Sequence, residues 1–186
     1  MGRLIVEQIV SADGYAAEPD GGIGFFEVAF GEDPNDADQL AFLEHVDAIL
    51  LGANTYRMFA GYWPQADPEV ERVAEPINRL PKFVMSNSLE SAPWGDGAIE
   101  ILRGDGAEAV AALKERFDAI VVWGSLTLAD ALFVAGLVDG LRLRVVPVLI
   151  GEGRSFTPAK LGERRLALDH MVSHPSGHVG MEYRVH

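Results

Sequence analysis

Cysteine is absent from the 186 residues, which excludes disulfides and thiolate metal sites and leaves a cytoplasmic home as the default expectation. Positive charge is scarce. Only 15 Lys and Arg stand against 28 Asp and Glu, a formal net charge of −13. Nucleic acids and anionic membranes need a basic surface, so neither is expected as the main partner. An anionic small molecule stays open, because helix N-termini and a few placed arginines act locally. No apolar run approaches the ~20 residues that cross a bilayer. The opening stretch MGRLIVEQIVSADG reads as a first strand rather than a signal peptide. HExxH, a phosphate-loop lysine motif and a nucleophile elbow are also missing. Without linker composition or low-complexity tracts, residues 1–186 are expected to form one domain.

What the chain does have is 48% hydrophobic residues, enough for a substantial core. Its organising stretch is DAIVVWGSLTLADALFVAG, residues 118–136. Residues 119–123 have the composition of a strand buried on both faces. Gly124 follows, Ser125 can serve as a helix N-cap, and Leu128, Ala131, Leu132 and Ala135 recur at helical spacing until Gly136 closes the helix. Such a strand, turn and helix offers free N–H groups where phosphate or a ribose edge can sit. DAILLGANTYRMF, residues 47–59, repeats the plan with Gly52 and a capping Asn54. Two such turns in one sheet can hold the two ends of a dinucleotide.

In chain order, residues 4–10 read as a strand and residues 16–36 as a long loop over a site. Gly22-Ile23-Gly24 there neither follows a strand nor opens a helix, so it is not a dinucleotide fingerprint. Asp36 and Gln39 form a capping box for the next helix. Residues 60–64, AGYWP, make an aromatic turn that is either a surface lid or a substrate wall. A helix is expected over residues 67–79, strands over 82–85 and 99–102, and a helix carrying Ala107, Val110, Leu113 and Phe117 on one face. Strands and helices alternate to residue 136, the pattern of a largely parallel sheet covered on both sides. The last fifty residues read as consecutive strands, at least one antiparallel, in which Arg142 and Arg144 mark a more polar face.

His170, His174 and His178 stand four apart, but Pro175 and Gly177 forbid the helix that would align them, so no metal site is expected. What remains is a set of turns at strand ends: residues 11–15, 52–55, 86–88 and 124–127. In a parallel sheet all four can line the carboxyl-edge crevice. The order SADGYAA, DAILLGANTYRMFAGYWP, KFVMSNSL and VVWGSLTLADALFVAGLVDGLRLRVVPVLIGEGRSF resembles the dihydrofolate reductase superfamily. More closely, it is similar to stand-alone relatives of the riboflavin-biosynthesis reductase domain.

The resemblance implies a three-layer α/β/α fold around a dihydrofolate reductase-like mixed sheet, mostly parallel with an antiparallel C-terminal strand. It also implies NADPH, a homodimer, and reduction of a small heterocyclic or carbonyl/imine substrate. The activities it points to are those of 5-amino-6-(5-phosphoribosylamino)uracil reductase and dihydrofolate reductase. By the resemblance, Gly52, Asn54 and Thr55 match a turn on the cofactor phosphates, Ser86 and Asn87 the turn near the 2′-phosphate, and Gly124, Ser125 and Leu126 the pyrophosphate and nicotinamide ribose. Lys82 or Arg103 would complete the 2′-phosphate contact.

Asp13 matches the aspartate of a serine-x-aspartate-glycine turn. It is either a buried proton donor with a raised pKa or a turn aspartate on the Gly14 and Tyr15 amides. Ala53 stands where folate enzymes carry arginine, and Trp123-Gly124-Ser125 where riboflavin enzymes read glutamate-glycine-glycine. These departures motivate a second reading, a non-catalytic ligand-binding or regulatory dimer. A pterin-binding acid would come from Glu27, Glu32, Asp33, Asp36 or Asp38. Residues 141–150 are more apolar than a solvated edge needs, so a two-fold dimer is expected to use this segment or its neighbours.

Overall fold

A computed structural model describes residues 2–26 and 37–186. The strands are β1 (Arg3–Ser11), β2 (Tyr15–Ala17), β3 (Ala48–Gly52), β4 (Lys82–Met85), β5 (Pro93–Trp94), β6 (Gly97–Ala98), β7 (Glu100–Leu102), β8 (Ala119–Trp123), β9 (Gly140–Val146), β10 (Arg154–Ser155), β11 (Leu166–Ser173) and β12 (Val179–Val185). The α-helices are α1 (Ala37–Leu43), α2 (Ala53–Tyr62), α3 (Ala74–Arg79), α4 (Gly106–Arg116) and α5 (Leu126–Val134). Eight strands form the main sheet in the order β11-β12-β9-β1-β8-β3-β4-β7. From β9 to β7 every pairing is parallel, and β12 runs antiparallel to both β9 and β11. This is the mixed sheet with an antiparallel C-terminal strand that the sequence pattern implies.

Period-two alternation divides the core between two faces. Leu4, Val6, Leu50, Ile120 and Val122 meet Val110 and Leu113 of α4 and Leu132 and Phe133 of α5. On the other face, Ile49, Leu51, Val84 and Val121 meet Phe42 of α1, Tyr56 of α2 and Ile77 of α3. All five residues of β8 are buried, as expected for a central parallel strand covered on both sides. Gly136, at φ 67°, ends α5. The Gly136 N–H donates to Phe133 O and the Leu137 N–H to Leu132 O, which is the Schellman arrangement. Among the described residues, no helix is long and apolar enough to cross a membrane.

Two expectations need correction. The helix expected over residues 67–79 is confined to α3. Pro76 has no N–H to donate back, so it is tolerated only in a first turn and forces the helix to begin near Ala74. Residues 141–146 do not form an edge, because β9 lies between β1 and β12. The apolar character of Leu141, Leu143 and Val146 reflects burial inside the sheet, whereas Leu149, beyond β9, is 74% exposed.

Arg142 is not on a solvated face either. It is 1% exposed, in a row of cross-strand neighbours Trp123, Glu7, Arg142 and Glu182. Its guanidinium donates to Glu7 and Glu182 at 2.9 Å each, and also to Asp38 and Gln39 of α1. It lies 4.4 Å from the centre of the Phe42 ring. Burial works against its charge, but the carboxylates of Glu7, Asp38 and Glu182 more than offset this and hold its pKa above the ordinary value.

Removing Arg142 would leave Glu7 buried and unpaired. Arg142→Met is therefore expected to cost about 3–5 kcal/mol in urea unfolding, and adding Glu7→Met to recover most of it. A single-variant loss under ~1 kcal/mol, the size of a surface pair, would contradict this account.

Candidate cofactor site

The carboxyl ends of β3 and β8 are adjacent, and their turns interlock. Ser125 is held at φ 51°, the only non-glycine residue with positive φ among those described. Its Oγ accepts the Gly52 N–H at 2.7 Å and donates to Trp123 O at 2.7 Å. Its N–H donates to Thr55 Oγ1 at 3.0 Å. A Cβ on Gly52 would lie 3.3 Å from Ser125 Cβ, and one on Gly124, at φ 52°, would lie 3.2 Å from Thr55 Oγ1. Gly52, Thr55, Gly124 and Ser125 thus form one constellation.

The capping expectations are corrected by this arrangement. Ser125 occupies the N-cap position of α5 without capping it through its side chain, because its hydroxyl is committed to β3 and β8. Asn54 lies inside the first turn of α2, where its Oδ1 accepts from Arg57 at 2.9 Å, and the N-cap is Gly52. Two helices therefore begin side by side with no side-chain cap. Their first-turn amides have no intrahelical partner, and both dipoles present a positive end. The first amide of α5 belongs to Leu126. The arrangement suits a pyrophosphate.

A second pair of turns meets two strands away. Asn87 Oδ1 accepts the Gly104 N–H at 2.7 Å, and Arg103 Nη1 donates to Ser86 O at 3.1 Å. Ser86, Asn87 and the exposed Arg103 are brought together. The turns after β8 and β7 are separated by three strand spacings, roughly 14 Å at ~4.8 Å each. That separation gives an elongated anionic ligand one set of amides and, further along, a guanidinium.

Lys82 is not part of that set. Its ammonium is buried and donates to the carbonyls of Ile77, Asn78 and Leu80 at 2.6–2.8 Å, closing the C-terminal end of α3. Of the two cations expected at the 2′-phosphate, Lys82 is buried in these bonds, while Arg103 is exposed and donates to the carbonyls of Ser86 and Leu89.

Asp13 has the reverse of a buried acid's environment. It is fully exposed, and its carboxylate accepts the N–H groups of Ile150 at 3.3 Å and Gly151 at 2.8 Å. The hydrogen bond from Ser11, then those from Gly151 and Ile150, hold its pKa below the usual value. The Gly14 and Tyr15 amides are taken instead by the Ser11 carbonyl and hydroxyl. Asp13 ties the 150–151 segment to the end of β1.

Of the acids considered for a pterin contact, Asp38 is described and is paired with Arg142. Glu27, Glu32, Asp33 and Asp36 lie outside the described residues, and so does the Asp36 half of the expected capping box. Gln39, its other half, bonds Arg142 and Glu7. The rings of His174 and His178 stack 3.8 Å apart at the β11–β12 turn. Among the described residues, no cluster of three or more His, Asp or Glu could hold a metal ion. The aromatic turn continues inward: Tyr62 meets Trp63, Trp63 meets Phe59, and Phe59 meets Trp123 at 5.7 Å.

The charged row on the α1 face was missed by sequence reading. Its signal was Glu7, a carboxylate in the middle of the largely apolar first strand.

The sheet and its paired turns define an α/β protein with two uncapped helix N-termini side by side at its carboxyl edge. The family model of the RibD C-terminal domain matches residues 3–179, and the chain belongs to that family. A curated relative, the uncharacterized protein YyaP of Bacillus subtilis (strain 168), is 27% identical over 155 residues, 82% of this chain and 78% of its own. A structure from Shewanella sp. PV-4, provisionally named a riboflavin biosynthesis protein, superposes with TM-score 0.79 at 21% identity, covering 99% of each chain. Dihydrofolate reductase from Enterococcus faecalis, solved with NADP(H), gives 0.59 at 15% identity over 99% of this chain and 96% of its own. Family and fold are those of reductases.

Burial pushes the Lys82 ammonium down to about 8 from an ordinary 10.5. Lys82→Met is expected to cost about 1–3 kcal/mol, since carbonyls at the end of α3 lose their donor. The wild-type advantage should grow as pH rises from about 8 toward 10.5, because there the unfolded chain holds a proton that the folded chain has released. Weakened NADPH binding by this variant would return Lys82 to the cofactor site.

Proposed function

We propose that the protein is an NADPH-dependent reductase of a small heterocyclic or carbonyl/imine substrate. The interlock of Gly52, Thr55, Gly124 and Ser125 carries this reading, since it sets two uncapped helix N-termini together at the carboxyl edge. The residues present fit the group. Amides of α2 and α5 would hold the pyrophosphate, and Ser86, Asn87 and Arg103 would hold the 2′-phosphate. When bound, the reduced nicotinamide supplies hydride to the acceptor carbon, and the heteroatom takes its proton. This reading assigns that proton to water, because Asp13 is ionised and committed to backbone amides. Asp13 is a positioning residue for the 150–151 segment.

The environment of Asp13 also favours a second reading, a ligand-binding dimer without turnover. Oxidation of NADPH with any member of a pteridine, pyrimidine or dicarbonyl panel would remove it. Asp13→Asn is expected to lower the melting temperature while turnover falls by much less than the ~10²–10⁴-fold that follows loss of a general acid. A loss of that size would make Asp13 the proton donor.

NADPH fluorescence is expected to titrate to saturation, and no binding at millimolar cofactor would sink the reductase reading. Gly124→Ala should weaken NADPH about tenfold or more, because the new Cβ meets Thr55 Oγ1 in a left-handed backbone that costs roughly 1–2 kcal/mol. Arg103→Ala should weaken NADPH more than NADH. Equal losses would remove Arg103 from the 2′-phosphate.

The partner proposed for the edge strand is a second copy. The β11–β12 register shifts between Leu168 and His170, so Leu166, Leu168 and Met171 oppose Val185, Tyr183 and Met181 and share one face. They are 44%, 55% and 59% exposed. An apolar edge needs covering, and a two-fold axis covers it with itself. Light scattering is expected to give twice the chain mass of 20.1 kDa. A concentration-independent monomer would contradict it.

A further inference from the structure

Trp123 ends β8 one residue before the cofactor turn, on the face that α1 and α2 cover. It is 6% exposed, yet its indole N–H has no hydrogen-bond partner among the described residues. A buried donor left unmade costs about 1–3 kcal/mol, and native proteins leave few of them. Its neighbours cannot satisfy it. Phe59 offers only a ring, and on cross-strand Glu7 the Oε2 accepts from Arg142 and Gln39, with no bond from the indole to either carboxylate oxygen.

We infer that the Trp123 indole N–H is a specificity-determining donor that reads a hydrogen-bond acceptor on the substrate. The inference rests on the reading of this edge as the reductase site. The charge beside it narrows the ligand. Glu7, Asp38 and Glu182 surround one guanidinium, a surplus of two carboxylates. An anionic acceptor would be repelled, so the group read by Trp123 is neutral: a ring carbonyl or an unprotonated ring nitrogen. The orphan donor would then reject an analogue that lacks the acceptor, because the indole N–H would stay unpaired in that complex.

The test uses the full-length protein uniformly labelled with ¹⁵N. The chain has three tryptophans, and Trp123→Phe identifies the Trp123 indole signal by its disappearance. Uracil, lumazine and isatin serve as neutral carbonyl probes at neutral pH. Orotate serves as the anionic counterpart of uracil. At least one neutral probe is expected to shift the Trp123 indole signal saturably, to bind Trp123→Phe about tenfold more weakly, and to do both better than orotate.

The inference is overturned if no probe moves that signal at millimolar concentration, if Trp123→Phe binds the probes as well as wild type, or if orotate outcompetes uracil. Should that variant fail to fold, Trp63→Phe and Trp94→Phe assign the Trp123 signal by elimination, and the wild-type shift decides the matter. Backbone amides of residues 53–55 report NADP⁺ in the same spectra. NADP⁺ binding with a silent indole defeats the Trp123 inference alone. A responsive indole without NADP⁺ binding defeats the reductase reading and leaves the acceptor subsite standing.

Discussion

The hydroxyl of Ser125 joins the ends of two strands and fixes the start of two helices. It accepts from Gly52, donates to Trp123 O, and sits beside an N–H that donates to Thr55. Holding a serine in the left-handed region costs on the order of 1–3 kcal/mol. Three hydrogen bonds at about 1 kcal/mol each offset that cost. The conformation persists because the turn of β3 holds it in place. Were Ser125 to cap α5 instead, the two turns would separate and the first-turn amides would lose their common direction. The strain is thereby linked to the proposed function, since it leaves two helix ends uncapped side by side.

A second constraint acts on the neighbouring strands. Arg142 binds β1, β9, β12 and α1 through Glu7, Glu182, Asp38 and Gln39. Few apolar contacts could position so short a helix, and α1 has only seven residues. The cluster therefore fixes α1 over the strands next to β8, where the Glu7 carbonyl accepts the Gly124 N–H. It also gives that side a negative surplus, the opposite sign to the helix N-termini. A bound molecule meets positive ends at β3 and β8 and carboxylates at β1 and β12. On the proposed reading, one edge of the sheet takes phosphate at one end and a neutral ring at the other.

Much of this was legible in the sequence where a local pattern sets a local structure. The apolar runs at residues 48–51 and 119–123 became buried parallel strands, and Gly136 closed its helix, because burial and backbone freedom are written in single residue types. The turns were legible as turns, though their side-chain partners were not. Ser125 and Asn54 have the chemistry of N-caps, and only the adjacency of β3 and β8 redirects Ser125. Arg142 alternates with leucines as a solvent-facing residue would, and nothing local reveals that Asp38, 104 residues earlier, arrives to pair with it. Pro76 was readable in principle, since a proline inside a helix has only one tolerated place. The anchoring role of Asp13 follows from residues 150–151 reaching its carboxylate, a contact 137–138 positions away.

The central claim is that the paired turns bind a dinucleotide by their backbone amides. A ¹H–¹⁵N titration of the full-length protein with NADP⁺ tests it most directly, because it reads each amide separately. The account predicts that the largest saturable shifts fall on residues 53–55 and 125–128, with a second group at Ser86, Asn87 and Gly104. An open cleft of about 630 Å³ lies on the outer side of α2, lined by Arg57, Pro64, Pro93 and Asp96 among others. Shifts centred on that cleft, or none at saturating NADP⁺, would contradict the claim.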